Sequence, residues 1–496
     1  MSLKTAHHSD LTLVIDQGTH ASRIALFTET GEQIYLASQT VTSSSFSTHF
    51  NESKHINYEQ NADEILQSIH KLFSALPHHL QHNIRQCGLC TQRSSIVAWH
   101  KTTGKALSPI ISWRDTRAQT LIDTLQAHEN SIRDISGLPL SAHYSASKMH
   151  WLLHNNTAVQ QAAKDKLLNI APLASYLLFH LLTEKPYLID HSNAQRSQLF
   201  DIHQLNWSDT LLQLFQINPQ FLPACTPVIH HYGHLSFNNI PVTAVVGDQN
   251  AALHAFPELH RNHALVNIGT GAFMLAPASN HEFLPTLLKT LSSSCENSCH
   301  FVHEGTVNGA GAAISWQQQN DARNNLNSDI FSQLPSWLKQ VKQPPIFINT
   351  IAGLGSPWWC SDAGDAKFLP QTQIDQAHCY SAIIESIVFL IVKNIEQLNT
   401  PPENIFISGG LSQLDDLCQK LADLSHIKIT RFNATESSAR GCAWLANQLL
   451  KNNHLNWKPL GVSKIFLPSN THQQGLKIQQ RYQQFVGELN KRCLSD

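Results

Sequence analysis

Two glycine-containing turns combine backbone amides with side chains that could bind a polyphosphate. The first reads Asp16-Gln17-Gly18-Thr19 and is followed by Arg23, so it offers a carboxylate suited to Mg²⁺ or its water shell, a hydroxyl and a cation. The second is Gly269-Thr270-Gly271. Glycine turns expose N–H groups to a phosphate without steric cost. Each turn alone is more often a plain hairpin. The sequence has no Walker A pattern, so a nucleotide site here would be of a two-hairpin type.

A third candidate is Asp248, which lies between an apolar segment and an alanine-rich one. The segment PVTAVVGDQNAALHAF predicts a strand that ends, and a helix that begins, across Gly247-Asp248-Gln249. In open α/β sheets, ligands bind at the carboxyl ends of the strands, so we expect Asp248 to face a ligand. Taken in isolation, the same carboxylate could equally be a helix N-cap.

The elements that carry these residues follow an α/β pattern with a weak internal duplication. Residues 11–41 read as successive antiparallel strands, and residues 263–277 repeat a strand, a turn and a strand. Further along, the pattern predicts a helix over 377–398, a strand over 404–407 and a helical region over 436–450. Since 496 residues exceed one ordinary core, we predict two domains, 1–253 and 254–496.

Charge and composition restrict the class of partner. With 34 Lys and Arg against 36 Asp and Glu, the chain offers no electrostatic footprint for nucleic acid or an anionic membrane, which favours a small-molecule ligand. Ten dispersed cysteines are typical of a reducing compartment. We expect a cytoplasmic protein without a signal peptide or a transmembrane helix. The oligomeric state is left open, and a homo-oligomer is compatible with the sequence.

Eight segments extend these three candidates into an ordered set. They are DQGTHASR, TQRSSIVAW, TGKALSPIISWRDTRA, IDHSNAQRSQLFDIHQLNW, GDQNAAL, NIGTGAF, EGTVNGAGAAISW and FISGG. In order and near-family spacing, this set resembles the FGGY carbohydrate kinases over Leu13 to about Ala446. The segments at 193–207 and 269–275 look most like those of glycerol kinases. The resemblance implies two ribonuclease H-like domains of the actin, hexokinase and Hsp70 ATPase type, with the active site in an interdomain cleft. It also implies ATP and Mg²⁺.

The resemblance further implies a role for each matching residue. Asp248 matches the family's general base, which accepts the proton of the acceptor hydroxyl, and Asp16 matches its Mg²⁺-linked carboxylate. The acceptor-binding positions are Arg93, Ser94, Trp113, His143, Asp248, Gln249 and Phe273. The nucleotide-binding positions are Thr19, Arg23, Thr270, Gly311, Ser315 and Gly410. Trp113 is also compatible with a plain core residue, and the two glycines at 311 and 410 with packing or turn positions.

Departures from the family pattern concentrate in the acceptor pocket. Ser94 stands where glycerol kinases carry a glutamate, and His143 stands where they carry a tyrosine, although Tyr144 is adjacent. Loss of the carboxylate removes a charge-assisted hydrogen bond worth roughly 1.5–3 kcal/mol. We therefore expect weak glycerol binding. A longer polyol or a ketose could use the space that the shorter Ser94 leaves beside Arg93.

Other departures affect the nucleotide side. Ser315 replaces a glutamine, the segment GGLSQLDDL lacks the asparagine that borders the adenine, and Cys360 and Gly364-Asp365 occupy the family's Asp and Arg-Gly positions. Two alternatives to an active kinase therefore remain. One is a kinase-like sensor that binds nucleotide or metabolite, and the other is a plain ATPase.

Overall fold

The structure is a computed structural model that describes residues 10–50, 53–256, 259–323, 326, 329–360, 363–370, 374–433, 436–451, 457–469 and 472–493. The chain forms two compact units. The first contains Met1–Pro257, Thr290–Phe301 and Glu436–Pro459. The second contains Glu258–Lys289, Val302–Thr435 and Leu460–Asp496.

A six-stranded mixed sheet forms the centre of the first unit. Its strands, in spatial order, are Ile229–His234, Pro241–Gly247, Ile84–Thr91, Leu11–Gln17, Ala21–Thr28 and Gln33–Thr40. The strand Leu11–Gln17 is buried along its whole length, as expected for an apolar run in the middle of a sheet. It pairs antiparallel with Ala21–Thr28 and parallel with Ile84–Thr91.

Smaller sheets complete the strands of the first unit. A five-stranded sheet has the order Ser43–Phe50, Ser53–Gln60, Ile110–Ile111, Ile96–His100 and Leu168–Pro172. Two further pairs are Leu188–Asp190 with Ala224–Thr226, and Phe200–Asp201 with Asn206–Trp207. The described helices of this unit are Ala62–Ser74, His78–Gln81, Gln119–Thr124, Glu129–Ser136, Ser145–Asn155, Thr157–Lys164, Leu173–Leu181, His191–Gln195, Asp209–Leu214, Asp248–Leu253 and Ser437–Lys451, with 3₁₀ turns at Gln126–His128 and Pro219–Phe221.

Most strands of a seven-stranded sheet with the same central topology belong to the second unit, whereas residues 290–301 of its first two strands in spatial order are counted with the first unit. Its strands, in spatial order, are Leu288–Cys295, Ser298–Val307, Ala272–Ala278, His263–Ile268, Asn404–Ser408, Lys428–Phe432 and Val462–Phe466. Here too the first strand in sequence, His263–Ile268, pairs antiparallel with the next strand and parallel with a distant one. The internal duplication predicted from the two turns is therefore visible in the strand pairing.

Helices pack against this second sheet to form its core. They are Gly311–Arg323, Ile330–Gln340, Gln376–Ile395, Asp415–Ser425 and His472–Cys493, with a 3₁₀ turn at Gly410–Gln413 and a strand pair at Ile346–Ile348 and Lys367–Leu369. Gln376–Ile395 is long and apolar enough to cross a membrane, but 89% of its apolar window is buried within the protein. Asp375 caps it by accepting from the His378 N–H. It is the central core helix of this unit.

The structure agrees with most predicted elements and shifts several of their ends. The helix predicted over 377–398 is Gln376–Ile395, the strand predicted over 404–407 is Asn404–Ser408, and the region 436–450 is the helix Ser437–Lys451. This last helix packs on the first sheet, where the Thr243 hydroxyl donates to the Ala446 carbonyl (2.8 Å). The first unit is consequently discontinuous in sequence, whereas our predicted division at residue 253 is a single cut.

Candidate functional site

The N-terminal hairpin, Leu11–Gln17 with Ala21–Thr28, places Asp16 and Arg23 side by side. The two residues face each other in the antiparallel register, and the Arg23 guanidinium lies 3.2 Å from Asp16 Oδ2. The Gly18 N–H donates to the Ala21 carbonyl (3.0 Å) and closes the turn. The sequence shows Asp16 and Arg23 only as two residues of one motif, and the strand pairing brings them together as an ion pair.

The carboxylate of Asp16 is 4% exposed, and its electrostatic surroundings are mixed. Burial raises the pKa of Asp16 to about 6; the Arg23 charge opposes this rise, and the carboxylates of Asp248 and Glu436 add to it. Desolvation disfavours the charged form of an acid, and like charges act in the same direction. A divalent cation would relieve this unfavourable concentration of negative charge, so the residues present fit a Mg²⁺ ion bound at Asp16.

Asp248 lies at the end of the strand Pro241–Gly247 and begins the helix Asp248–Leu253, as the sequence predicts. Its side chain is 29% exposed, and its Oδ1 lies 3.6 Å from the Arg93 Nε. Oδ1 also accepts from the Gln249 N–H (2.7 Å). The carboxylate is therefore oriented by a buried cation and a backbone donor while part of it remains open to solvent.

The position of Arg93 depends on a glycine. A Cβ on Gly247 would lie 2.7 Å from the Arg93 Cγ and Cδ atoms, so only glycine leaves room for the arginine side chain to pass. The guanidinium then donates to the Asn250 Oδ1 (3.1 Å) as well as facing Asp248. Three residues of the strand-to-helix turn, Gly247, Asp248 and Asn250, thus fix the position of Arg93.

A second set of contacts connects the hairpin turn to the predicted acceptor residues. The Trp113 indole N–H donates to the Thr19 hydroxyl (3.0 Å), which in turn donates to Gln92 Oε1 (3.1 Å). The Trp113 and His143 rings are 5.3 Å apart, and the His143 and Tyr144 rings are 5.2 Å apart. Trp113 is half-buried and its indole N–H is hydrogen-bonded. It therefore differs from a plain core residue, which was the alternative interpretation of this tryptophan.

Ser94 differs from the expectation based on its short side chain. It has a left-handed backbone (φ 64°), its side chain is 0% exposed, and its hydroxyl donates to the Arg196 carbonyl (3.1 Å). The predicted free space beside Arg93 is therefore not seen at Ser94. The physical reason is that the backbone turns the short side chain into the protein, where it binds a loop carbonyl.

In the second unit, the turn Gly269-Thr270-Gly271 is bound to the start of a helix. The Gly311 and Ala312 N–H groups donate to the Gly269 and Thr270 carbonyls (3.0 and 2.9 Å). A Cβ on Gly311 would lie 2.7 Å from the Gly269 oxygen, so this glycine is required for packing within the unit. The alternative interpretation of Gly311 as a packing glycine is thus directly supported, and a nucleotide contact is compatible with it.

Gly410 has more open surroundings than the preceding residue, Gly409. A Cβ there would meet no atom of the described chain within 4 Å, whereas Gly409 has φ 91° and would overlap the Ile268 backbone. The chain's own packing therefore requires a glycine at 409 and leaves 410 exposed. Two other predicted residues of this unit are partly accessible: Phe273 lies in register with Asn267 just after the turn, and Ser315 is exposed.

Some residues around Asp16 and Asp248 were missed by our reading of the sequence. Glu436 lies 3.9 Å from the Arg23 Nε, and nothing in its local sequence indicates this contact. Asn250 and Gln92 lie inside the quoted segments GDQNAAL and TQRSSIVAW, and their side chains could have been considered on that ground. Within the described part of the chain, no group of three or more His, Cys, Asp or Glu side chains is arranged to hold a metal ion.

The fold is shared with solved kinases of low sequence identity. Plasmodium falciparum glycerol kinase with ADP superimposes with a TM-score of 0.84 at 23% identity, covering 98% of this chain and 99% of that one. Xylulose kinase from Lactobacillus acidophilus gives 0.82 at 17% identity, with coverage of 98% and 99%. At these identities the likeness concerns the two-domain, ribonuclease H-like architecture.

Sequence comparison covers nearly the same length. Glycerol kinase from Bacillus anthracis is 28% identical over 456 residues, and that from Acinetobacter baylyi is 31% identical over 451, each match covering 88% of this chain and 89% of the relative. The models for the N-terminal and C-terminal domains of the FGGY family of carbohydrate kinases match residues 11–254 and 264–449. These two matches account for most of the chain, which therefore belongs to the FGGY family of carbohydrate kinases.

Proposed function

We propose that this chain transfers the γ-phosphoryl group of ATP to a hydroxyl of a small polyol or sugar, with Asp248 as the general base. The observation that carries the proposal is the placement of Asp248. Its partly exposed carboxylate lies at a strand end, 3.6 Å from Arg93 and within electrostatic reach of Asp16. The glycerol and xylulose kinases that this chain resembles support the same reaction class.

The first step is to bind and orient the acceptor. Arg93, Asp248 and Gln249 supply a cation, an anion and an amide at one turn, and these groups suit the hydroxyls of a polyol. Trp113 and His143 add ring surfaces, and Phe273 is a further member of the proposed acceptor set. Ser94 belongs to the set by its place next to Arg93 in sequence, since its hydroxyl is already bound to the Arg196 carbonyl. Asp248 then accepts the hydroxyl proton as the oxygen attacks phosphorus. In a loose transition state the proton leaves late, so positioning matters more than base strength.

The nucleotide role is assigned to residues of both units. In the first unit we assign it to Thr19 and Arg23, which lie on the N-terminal hairpin; in the second we assign it to Thr270, Gly311, Ser315 and Gly410. The empty surroundings of a Cβ at Gly410 support a close approach by a ligand at that point. Mg²⁺ would be held by Asp16 and would neutralise charge on the phosphates.

The remaining assignments follow from the same proposal. We take residues 1–253 as the kinase N-terminal domain, and 254–496 as the C-terminal domain. We propose a cytoplasmic enzyme whose partner is its small-molecule substrate rather than nucleic acid or a membrane. A sensor without catalysis is not favoured, because the relatives are kinases and because Asp16 and Asp248 are both present and paired with arginines.

A coupled assay of ADP release tests the function and the class of acceptor together. Purified protein is given MgATP with glycerol, xylulose, gluconate or no acceptor. Release that rises with an acceptor supports a kinase, release that is the same in all four supports an ATPase, and no release supports a sensor. We expect xylulose to give a higher kcat/KM than glycerol, because no glutamate stands at position 94. A kcat/KM for glycerol at or above that for xylulose would contradict that order. A sub-millimolar KM for glycerol, within the range of about 1 μM–1 mM typical of many enzymes, would contradict the expected weak glycerol binding.

A further inference from the structure

Lys148 has a complete set of hydrogen-bond acceptors inside the protein. It lies in the first turn of the helix Ser145–Asn155, and its side chain is 0% exposed. Its Nζ donates to three consecutive carbonyls, those of Ala142 (2.8 Å), His143 (2.5 Å) and Tyr144 (3.1 Å). An ammonium group has three N–H donors and no acceptor. The donors of Lys148 and the carbonyls of this segment therefore match one to one.

The three carbonyls belong to a segment that carries one side chain of the proposed acceptor site, that of His143. The His143 ring lies 5.3 Å from Trp113 and 5.2 Å from Tyr144. Trp113 in turn donates to Thr19 on the N-terminal hairpin. A shift in the backbone of residues 142–144 would therefore move the ring that packs on Trp113. Lys148 is connected to the acceptor site through this backbone.

Both ends of the segment are anchored elsewhere. After it, the Ala146 N–H donates to the Ser197 carbonyl (2.8 Å). Before it, the Pro139 carbonyl accepts from the Gln198 side chain (2.5 Å). The carbonyls bound by Lys148 lie between these two anchors. The ammonium thus holds the middle of a stretch whose ends are already attached to the loop at 197–198.

We propose that Lys148 is a positioning residue of the acceptor site, whose ammonium holds residues 142–144 in the conformation that presents His143 to the acceptor. This inference rests on the proposed function, since the acceptor role of His143 is part of that proposal. Lys148 acts through the segment rather than through a reacting atom. Its loss should raise the KM for the acceptor and leave the KM for ATP near its wild-type value.

Burial of the Lys148 ammonium makes its hold on residues 142–144 dependent on pH, and two nearby charged groups modify this dependence. Burial lowers the pKa of Lys148 to about 7, the Asp115 carboxylate opposes this, and the Arg117 charge adds to it. Asp115 is itself buried and bound to Arg117 (2.8 Å). A neutral amine has only two N–H donors for three carbonyls. The KM for the acceptor should therefore rise as the pH increases through about 7.

The test compares Lys148→Met with Lys164→Met, which removes an exposed lysine from the next helix, Thr157–Lys164. The acceptor is whichever of glycerol, xylulose and gluconate gives wild type the highest kcat/KM. We expect Lys148→Met to raise the acceptor KM about tenfold or more, as for loss of a charge-assisted hydrogen bond. We also expect faster amide hydrogen exchange in a peptide covering residues 138–147, and an acceptor KM that no longer changes with pH.

Lys148→Gln, which keeps two N–H donors without charge, replaces the methionine variant if that variant does not fold. Equal changes in the KM for acceptor and ATP, or unchanged exchange at 138–147, would overturn the proposal. Faster exchange with an unchanged acceptor KM would also overturn it, by showing a purely structural role. If wild type phosphorylates none of the three compounds, the proposed function fails and this inference with it. The hydrogen-exchange result then shows separately whether Lys148 holds residues 142–144 in place.

Discussion

Replacing Asp248 with asparagine tests the proposed general base with little change of shape. The side chain is 29% exposed, accepts from the Gln249 N–H and lies 3.6 Å from Arg93. An asparagine oxygen can still accept from that N–H, but the amide cannot take up the acceptor's proton. The variant should therefore fold and bind ATP while losing turnover.

The expected effect of Asp248→Asn on kcat is much larger than its expected effect on folding stability. Loss of a positioned base costs about 10²–10⁴ in rate, so we expect kcat to fall roughly a thousandfold, equivalent to about 4 kcal/mol in the barrier. Loss of a negative charge at the helix N-terminus costs about 0.3–1 kcal/mol, and loss of a partly exposed ion pair costs at most about 1 kcal/mol. The catalytic loss should thus far exceed the change in folding stability.

Coupled ADP release measures kcat, calorimetric titration measures ATP binding, and thermal unfolding checks the fold. Asp209→Asn is a matched control, because Asp209 also begins a six-residue helix, Asp209–Leu214, and is exposed. This control should keep wild-type kcat. If Asp248→Asn retains more than about a tenth of wild-type kcat, a loss below the range for a general base, the assignment is wrong.

Three further predictions concern packing, the acceptor site and pH. A Cβ on Gly441 would overlap the backbone of a neighbouring helix, so Gly441→Ala should lower the free energy of unfolding by about 2–4 kcal/mol. A Cβ on Gly487, in the middle of a helix, would meet no atom of the described residues within 4 Å, so Gly487→Ala should raise the free energy of unfolding by about 0.5–1 kcal/mol. Urea titrations that rank the two variants the other way would contradict the geometry. Trp113→Phe keeps an aromatic ring but loses the indole N–H and its bond to Thr19, worth about 0.5–1.5 kcal/mol, so the acceptor KM should rise about two- to tenfold. An unchanged KM would exclude a role for that bond. Burial raises the pKa of Asp16 to about 6, so without Mg²⁺ the folded chain binds this proton more tightly than the unfolded chain, and its contribution to stability falls as the pH rises from about 4 to about 6. The change in unfolding free energy on going from about pH 4 to about pH 6.5 should be more positive for Asp16→Asn than for wild type, because the variant lacks this falling term; an equal change would show that this carboxyl does not contribute.

The sequence alone predicted those features that depend on neighbours along the chain. An apolar run followed by Gly247-Asp248 predicts a strand end and a helix start, because period and turn chemistry are local properties. The structure confirms both at Asp248. The two hairpins and the duplicated α/β pattern were predictable for the same reason. The ordered motifs then identified the family, which the two domain models confirm.

Tertiary structure decided which of these residues meet. The pairing of Arg93 with Asp248 depends on a parallel sheet and on the space left by Gly247, neither of which one motif contains. Glu436 approaches Arg23 because the helix that follows it, Ser437–Lys451, packs on the first sheet. Long-range contacts of this kind are set by packing across the chain and leave no local pattern.

Long-range packing also explains why the surroundings of Ser94 were misjudged from the sequence and why the contacts of Lys148 were missed. From the sequence, Ser94 was a shortened side chain beside a pocket, but a left-handed backbone turns it inward to a loop carbonyl. Lys148 was one lysine in a helical stretch, and only the folded chain directs three consecutive carbonyls at its ammonium. The direction of a side chain depends on the backbone around it and on the groups packed against it, so the residue types could be predicted from the sequence while their surroundings could not.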